Sequence, residues 1–347
     1  MSARRLRARL LVFAAVVALA GTAVAGLRAP ARAAEPVKVT LLQGFNSMSF
    51  MPVYVAKAKK LFEAEGVDVD VQIMSGSSIA FKGAVGGQAQ FAAMGATELI
   101  TATDKGLDRM IAVAAVNRAV TVSIAVSKEV VAARHLDASA PVKERLAALR
   151  GLRIASGSPG GAIHTVLMYL LKQAGLDPRT EVTVLAMSGT APMLAAFKAR
   201  QIDAIAISPP APETAMAEGL GVLWINLSRG DVPELSTIAY DALVTSKDYA
   251  AKNPEVVKRV VRALGRAANF VQDRPDETRE IMLRAFDKTP PAVMTAVMEN
   301  LRHAFPRDAR FTEEMWRNAL AFNREAGKIT KNLDPREGVL WTNAYHE

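Results

Sequence analysis

The sequence predicts a two-lobed α/β protein, each lobe an α/β sandwich, the two joined by two crossing strands and followed by a helical C-terminal region. Three observations carry that expectation. From Val37 onward short apolar stretches alternate with helix-like ones; the alternation lapses in a polar, alanine-rich stretch before Arg150 and then restarts. Two segments echo one another, "GGQAQFAAMGATE" (86–98) and "ARQIDAIAISPPAPE" (199–213). Beyond residue 247 the pattern becomes mostly helical.

The first element stands outside the fold. Arg4, Arg5, Arg7 and Arg9 precede an apolar run at 10–20 that fades towards Leu27 and gives way to Ala31-Arg32-Ala33. This is the pattern of a secretory signal peptide, residues 1–33, with cleavage after Ala33 or Ala34. The run is shorter than the ~20 residues a spanning helix needs. Removing it takes away six arginines and no acid, so the formal charge of the 347-residue chain falls from +9 to +3. The basic balance is mostly leader. No basic run with interleaved aromatics remains, which argues against a nucleic-acid partner. The absence of cysteine excludes disulfides, thiolate metal sites, a cysteine nucleophile and a lipid-modified N-terminal cysteine. The expected product is a soluble, unanchored monomer of the periplasm with no cofactor.

In the first lobe the strand-like segments are "VKVTLLQG" (37–44), "VDVDVQIMSG" (67–76), "FAAMG" (91–95) and "MIAVAAV" (110–116), with helices expected at 52–65, 79–85 and 98–105. "TVSIAVSK" (121–128) carries the chain across. The second lobe then repeats the plan with "LRIASG", "VTVLAMSG", "AIAISPP" and "VLWINLS". In the echo Gln88 answers Gln201, Gln90 answers Asp203, and each segment ends in a glutamate in the first turn of the next helix. "AYDALVTSK" (239–247) returns the chain. Asn253-Pro254 then opens a helix whose Val256, Val257, Val260, Val261, Leu264 and Ala268 form one stripe. The expected division is 36–120 plus 238–347 for the first lobe and 121–237 for the second, with two crossings acting as a hinge.

Catalytic signatures are missing. The four histidines lie at least 29 residues apart, and neither H-E-x-x-H nor G-x-S-x-G occurs. His164 alone merits attention, as a solvent-facing or ligand-contacting residue rather than a catalyst. "IASGSPGGAIHT" (154–165) reads as strand, small-residue turn and helix start. Its backbone N–H groups can hold an anion or polar group. It lacks the P-loop lysine and does not match G-x-G-x-x-G, and an ordinary β-to-α turn is the alternative. The other strand ends carry "NSMSF" (46–50), "SGSS" (75–78), "GATE" (95–98), "NR" (117–118), "SGT" (188–190) and "SPP" (208–210). These groups hydrogen-bond and carry no reaction, and ligands of open α/β sheets bind at such ends; service as helix N-caps is the alternative for the Ser, Thr and Asn among them.

"MPVYVAKAKKLFEAEGVDVDV", "GGQAQFAAMG", "LRGLRIASGSPGG", "LKQAGLDP" and "FKARQIDAIAISPP", in that order and spacing, give the chain a resemblance to a known family. It resembles the periplasmic substrate-binding proteins of ABC importers of the sulfonate, nitrate and taurine type, also called SsuA/THI5-like or NMT1-like. The resemblance implies the type II periplasmic binding protein architecture, closure of two lobes over a small molecule, and delivery to an inner-membrane permease. It covers residue 37 to about Leu264 well and the tail loosely. Lys60 and Arg200 stand where the family has glycine, and Gln90 where it often has aspartate. The family's thiamine-precursor enzymes use a cysteine-rich motif that this chain lacks. An exported enzyme, or a ligand-sensing subunit for a membrane receptor, is the alternative on the same fold.

The family layout implies that Ser158, Gly160 and Gly161 edge the cleft, with Ser188 and Thr190 beside them and Asn46, Ser47, Phe50, Ser77, Ser78 and Thr97 across the gap. Ser208 and Asn117 join them from their strand ends. Arg118, at a crossing, is read either as a support for an anion or as a solvated hinge residue. Phe50 is expected to be the apolar wall, and the ligand a small organic anion such as a sulfonate or carboxylate. Proline at Gly160 or Gly161 is expected to weaken binding without unfolding the protein.

Overall fold

The computed structural model describes residues 35–187 and 189–346; the predicted leader and Ser188 lie outside the described residues. In chain order the first elements are β1 (Val37–Gln43), α1 (Met51–Ala58), α2 (Leu61–Ala64), β2 (Val67–Ile73), α3 (Ser77–Val85), β3 (Phe91–Gly95), α4 (Ala96–Asp104) and β4 (Met110–Ala115). The chain then crosses into β5 (Ser123–Ser127), α5 (Lys128–Ala133), α6 (Val142–Ala147), β6 (Arg153–Ser156), α7 (Ala162–Gln173), β7 (Thr183–Ala186), α8 (Thr190–Lys198), β8 (Ala204–Ile207), α9 (Ala211–Ala217) and β9 (Gly221–Asn226). It returns through β10 (Asp241–Ser246) to α10 (Lys247–Lys252), α11 (Pro254–Asp273), α12 (Pro275–Ala285), α13 (Pro291–Leu301) and α14 (Glu313–Glu325).

The strands make two five-stranded sheets, ordered β2-β1-β3-β10-β4 and β7-β6-β8-β5-β9. In each sheet three strands pair in parallel, and the strand that has come from the other lobe pairs antiparallel with its two neighbours. β10 and β5 therefore hold equivalent places in opposite sheets. Both carry a register shift against the outer strand, at Leu243/Val244 and at Ile124/Ala125. The echo read in the sequence is this symmetry at residue scale. Gln90 Oε1 accepts the Thr40 N–H at 2.8 Å, and Asp203 Oδ2 accepts the Arg153 N–H at 2.8 Å. Each side chain, just before a central strand, fastens the parallel strand beside it.

The helix expected over 52–65 is two helices, because Lys60 adopts φ 53° and breaks the ladder. Arg200 does the same at φ 57° after α8. The two non-glycine residues at glycine positions keep the left-handed turn. The polar stretch before Arg150 folds as α5 and α6, with the Ser127 hydroxyl accepting the Val130 N–H.

The stripe of α11 is buried against α1, α2 and β4, apart from the half-buried Val256. α12 packs on α1, α13 reaches α9, and α14 lies on both α4 and α7. The C-terminal region thus touches both lobes. Among the described residues no helix is long and apolar enough to cross a membrane.

Candidate functional site

The C-terminal ends of the parallel strands in both sheets face a cavity of about 860 Å³. The first lobe supplies Phe45, Asn46 and Ser47 after β1 and residues 73–79 around the start of α3. The second supplies Gly157 to Pro159 and Gly161 to His164, Met187 and Gly189, and Ile207, Ser208 and Pro210. Residues 285–289, between α12 and α13, form a further edge. Phe45, Met74, Met187, Leu194 and Phe286 make the walls largely apolar, and the hydroxyl and amide groups sit at strand ends and helix starts.

Of the residues expected from the sequence, Asn46, Ser47, Ser77, Ser78, Ser158, Gly161 and Ser208 line this space. The Ser47 hydroxyl donates to the Pro209 carbonyl at 3.2 Å, one lobe to the other. Ser77 Oγ accepts the Gly95 N–H, and Ser208 Oγ lies 2.9 Å from Thr121 Oγ1 at the crossing. His164 also lines the cavity; burial, and then Lys328, hold its imidazole below its ordinary pKa.

Other expectations are corrected by burial. Phe50 closes the short turn Met48–Phe50 and is fully buried in the first lobe, edge-to-face with Phe45 at 5.3 Å. Phe45 and Phe286 are the aromatic walls instead. Thr97 is buried in α4 and does not line the cavity. Asn117 is fully buried: its amide donates to Asp241 Oδ2 at 2.6 Å, and its carbonyl accepts the Asp241 N–H at 3.0 Å. It fastens one crossing to the other. Arg118 points outward, its guanidinium on the Thr237 hydroxyl at 3.2 Å, away from the cavity. Gly160 makes the turn at φ 88° and is not among the lining residues. The Gly161 N–H already donates to the Ser158 carbonyl at 3.0 Å. The open donors at this turn are instead the first N–H groups of α7 itself, which a helix cannot satisfy internally. Thr190 opens α8, and Ser188 lies outside the described residues.

Glu98 is the acid the sequence reading passed over, although it ends the echo segment. Its Oε1 accepts the Ser78 hydroxyl at 3.4 Å, and its Oε2 is buried without a partner. Burial, with Asp241 nearby, pushes its carboxyl up to about 8. Glu213, its counterpart, is buried on Asn300 of α13 at 2.7 Å and is likewise raised by burial. Asp241 is pushed up to about 7, again by burial. Among the described residues no three His, Cys, Asp or Glu side chains are placed to hold a metal ion.

The sequence pattern of the NMT1-like family matches residues 32–285. A relative with a provisional name as a binding protein, YtlA of Bacillus subtilis (strain 168), is 21% identical over 300 residues, covering 85% of each chain. The alkanesulfonate-binding protein SsuA from Xanthomonas axonopodis pv. citri, solved with bound MOPS, superposes with a TM-score of 0.69 at 20% identity, covering 87% of this chain and 97% of its own. The desulfurization enzyme DSZB shares the fold more distantly, with a TM-score of 0.57 at 13% identity over 84% of this chain and 93% of its own.

Proposed function

The chain belongs to the NMT1-like family, and from that premise we propose that it is the solute-binding component of an ABC importer. It captures a small organic molecule between its lobes by hinge closure and hands it to a permease in the inner membrane. We assign 36–120 with 238–347 to one lobe and 121–237 to the other. The leader read at 1–33 supports export to the periplasm. One observation carries the reading: a cavity of about 860 Å³ opens between the carboxyl ends of two sheets that the chain crosses twice.

The starts of α3, α7 and α8 border the cavity, and the opening N–H groups of α3 and α7 favour an acceptor such as a carboxylate or sulfonate. The apolar walls favour an organic body over a bare oxyanion. SsuA, an alkanesulfonate-binding relative in fold, supports the same class. The fold shared with DSZB keeps an exported enzyme as the second reading.

A thermal-shift screen of the mature protein over organic acids, sulfonates, amines and pyrimidines tests this. A cognate ligand at a hundredfold excess over Kd stabilises the fold by about 2.7 kcal/mol. Turnover of any of these compounds would replace the binding reading with the enzymatic one.

A further inference from the structure

The lobes touch where α4 of the first meets the first turn of α7 in the second. A Cβ built on Gly95 would lie 2.7 Å from the Ala162 Cβ and 2.9 Å from Glu98 Oε2, and one on Gly161 would lie 3.9 Å from Glu98 Oε1. The Glu98 carboxyl therefore sits in the seam between the lobes, beside Ser78 and Gly161 of the cavity wall. The C-terminal region clamps the far ends of the same two helices. Asp104, ending α4, accepts the Thr330 and Lys331 N–H groups at 3.1 and 2.8 Å. Lys172 and Gln173, ending α7, donate to Glu325 at 2.7 and 3.0 Å. The clamp holds one end of the α4–α7 pair, and the cavity lies at the other.

We propose that Glu98 is a proton-dependent latch on the cleft, neutral while the lobes enclose it and ionised when they part, so that capture of the ligand takes up a proton. The inference rests on the lobe closure proposed above. With the lobes apart the carboxyl meets water and titrates as an ordinary glutamate. With them together burial outweighs the support of its own backbone N–H and the long Ser78 hydrogen bond, one oxygen is left unpartnered, and its pKa rises to about 8.

The groups facing it are Tyr240 and Asp241 from β10, His164 from α7, and Lys328 beyond α14, itself near Lys105. Tyr240 is raised well above its usual range and stays neutral here. His164 is lowered and changes charge on the acid side. Lys328 acts on Glu98 through space and favours its ionised form, but burial lowers its own pKa. Asp241 rises to about 7 and is the competing titrant.

The test needs no ligand. The native chain has no cysteine, so Lys82→Cys on α3 and Lys198→Cys on α8, both exposed, give two clean attachment points for a donor–acceptor dye pair. Between pH 6.5 and 9 the closing equilibrium of the labelled protein is expected to fall by about tenfold for each unit up to the closed-state pKa, lengthening the distance between dyes. Glu98→Gln, which mimics the neutral acid, keeps the short distance at both pH values. Lys328→Met, which removes the compensating cation, opens the protein further at pH 9. An unchanged distance in the parent, or a parent-like response in Glu98→Gln, which would place the titration on Asp241, overturns the latch. A negative ligand screen leaves this measurement intact, so the two failures are distinguishable.

Discussion

Lys60 and Arg200 hold φ values of 53° and 57°, where a Cβ crowds the following carbonyl and glycine does not. Both side chains are exposed. Lys60→Gly is expected to raise the unfolding free energy by about 0.5–1 kcal/mol, the relief of strain exceeding the extra freedom of the unfolded chain. Arg200→Gly should gain less, since the Arg200–Glu129 ion pair at 3.0 Å is lost with it. Urea unfolding of both variants measures the difference. Asn117 and Arg118 are neighbours in sequence with opposite fates. Asn117→Ala removes both bonds to the buried Asp241 and is expected to cost about 2–3 kcal/mol, whereas Arg118→Ala should stay within about 0.5 kcal/mol. Ligand binding should survive both. The polar pair "NR" at a strand end was legible as special. Which residue turned inward was not, because that depends on Asp241, 124 positions away.

At the scale of elements the strands were the most legible feature: "FAAMG" is β3 and "AIAI" is β8, since buried parallel strands leave uninterrupted apolar runs. The C-terminal segment was illegible for the opposite reason. Leu340 accepts the Ala112 N–H, Thr342 donates to the Ala112 carbonyl, and Trp341 stacks on Trp316 beside Phe311. A stretch rich in polar residues thus borders β4 through backbone bonds that no side-chain period announces. Trp341 is 4% exposed, and Trp341→Ala is expected to cost about 3 kcal/mol by the cavity it leaves, read as a lower urea midpoint. The two glycines of the turn before α7 respond differently to proline. Gly160 at φ 88° cannot accept proline, whose φ is fixed near −65°, so Gly160→Pro is expected to lower the melting temperature even without ligand. Gly161 has φ −74°, which proline tolerates, so Gly161→Pro loses the bond to Ser158 and brings its Cβ to 3.3 Å from the Ser158 carbonyl and 3.9 Å from Glu98 Oε1. Its effect on binding then reports on the turn together with the Glu98 seam beside it.

The whole molecule is a pair of sheets exchanging one strand each, and the exchange buries acids where the halves meet. Glu98, Glu213 and Asp241 are all raised by burial, and none lies in an arrangement that exposes it to bulk water. A carboxyl of this kind adds no ionisation cost to the native state while it is neutral in both native and unfolded chains, below about pH 4. As pH rises towards 8 the unfolded chain ionises first, and the native state loses ground until the native groups ionise too. His164 and His346 act from the other side. Both are lowered by burial, so protonation of the unfolded chain below about pH 6.5 favours unfolding. Stability is therefore expected to peak on the mildly acidic side of neutrality. The urea midpoint of the mature protein should be higher at pH 6 than at pH 8.5. Glu98→Gln combined with Asp241→Asn should flatten the alkaline limb, because an amide cannot ionise in either state. Asn117 can still donate to the amide oxygen at position 241, so the crossing keeps its fastening. A midpoint that stays level between pH 6 and 8.5 in the parent would mean that these carboxyls are hydrated in the native protein.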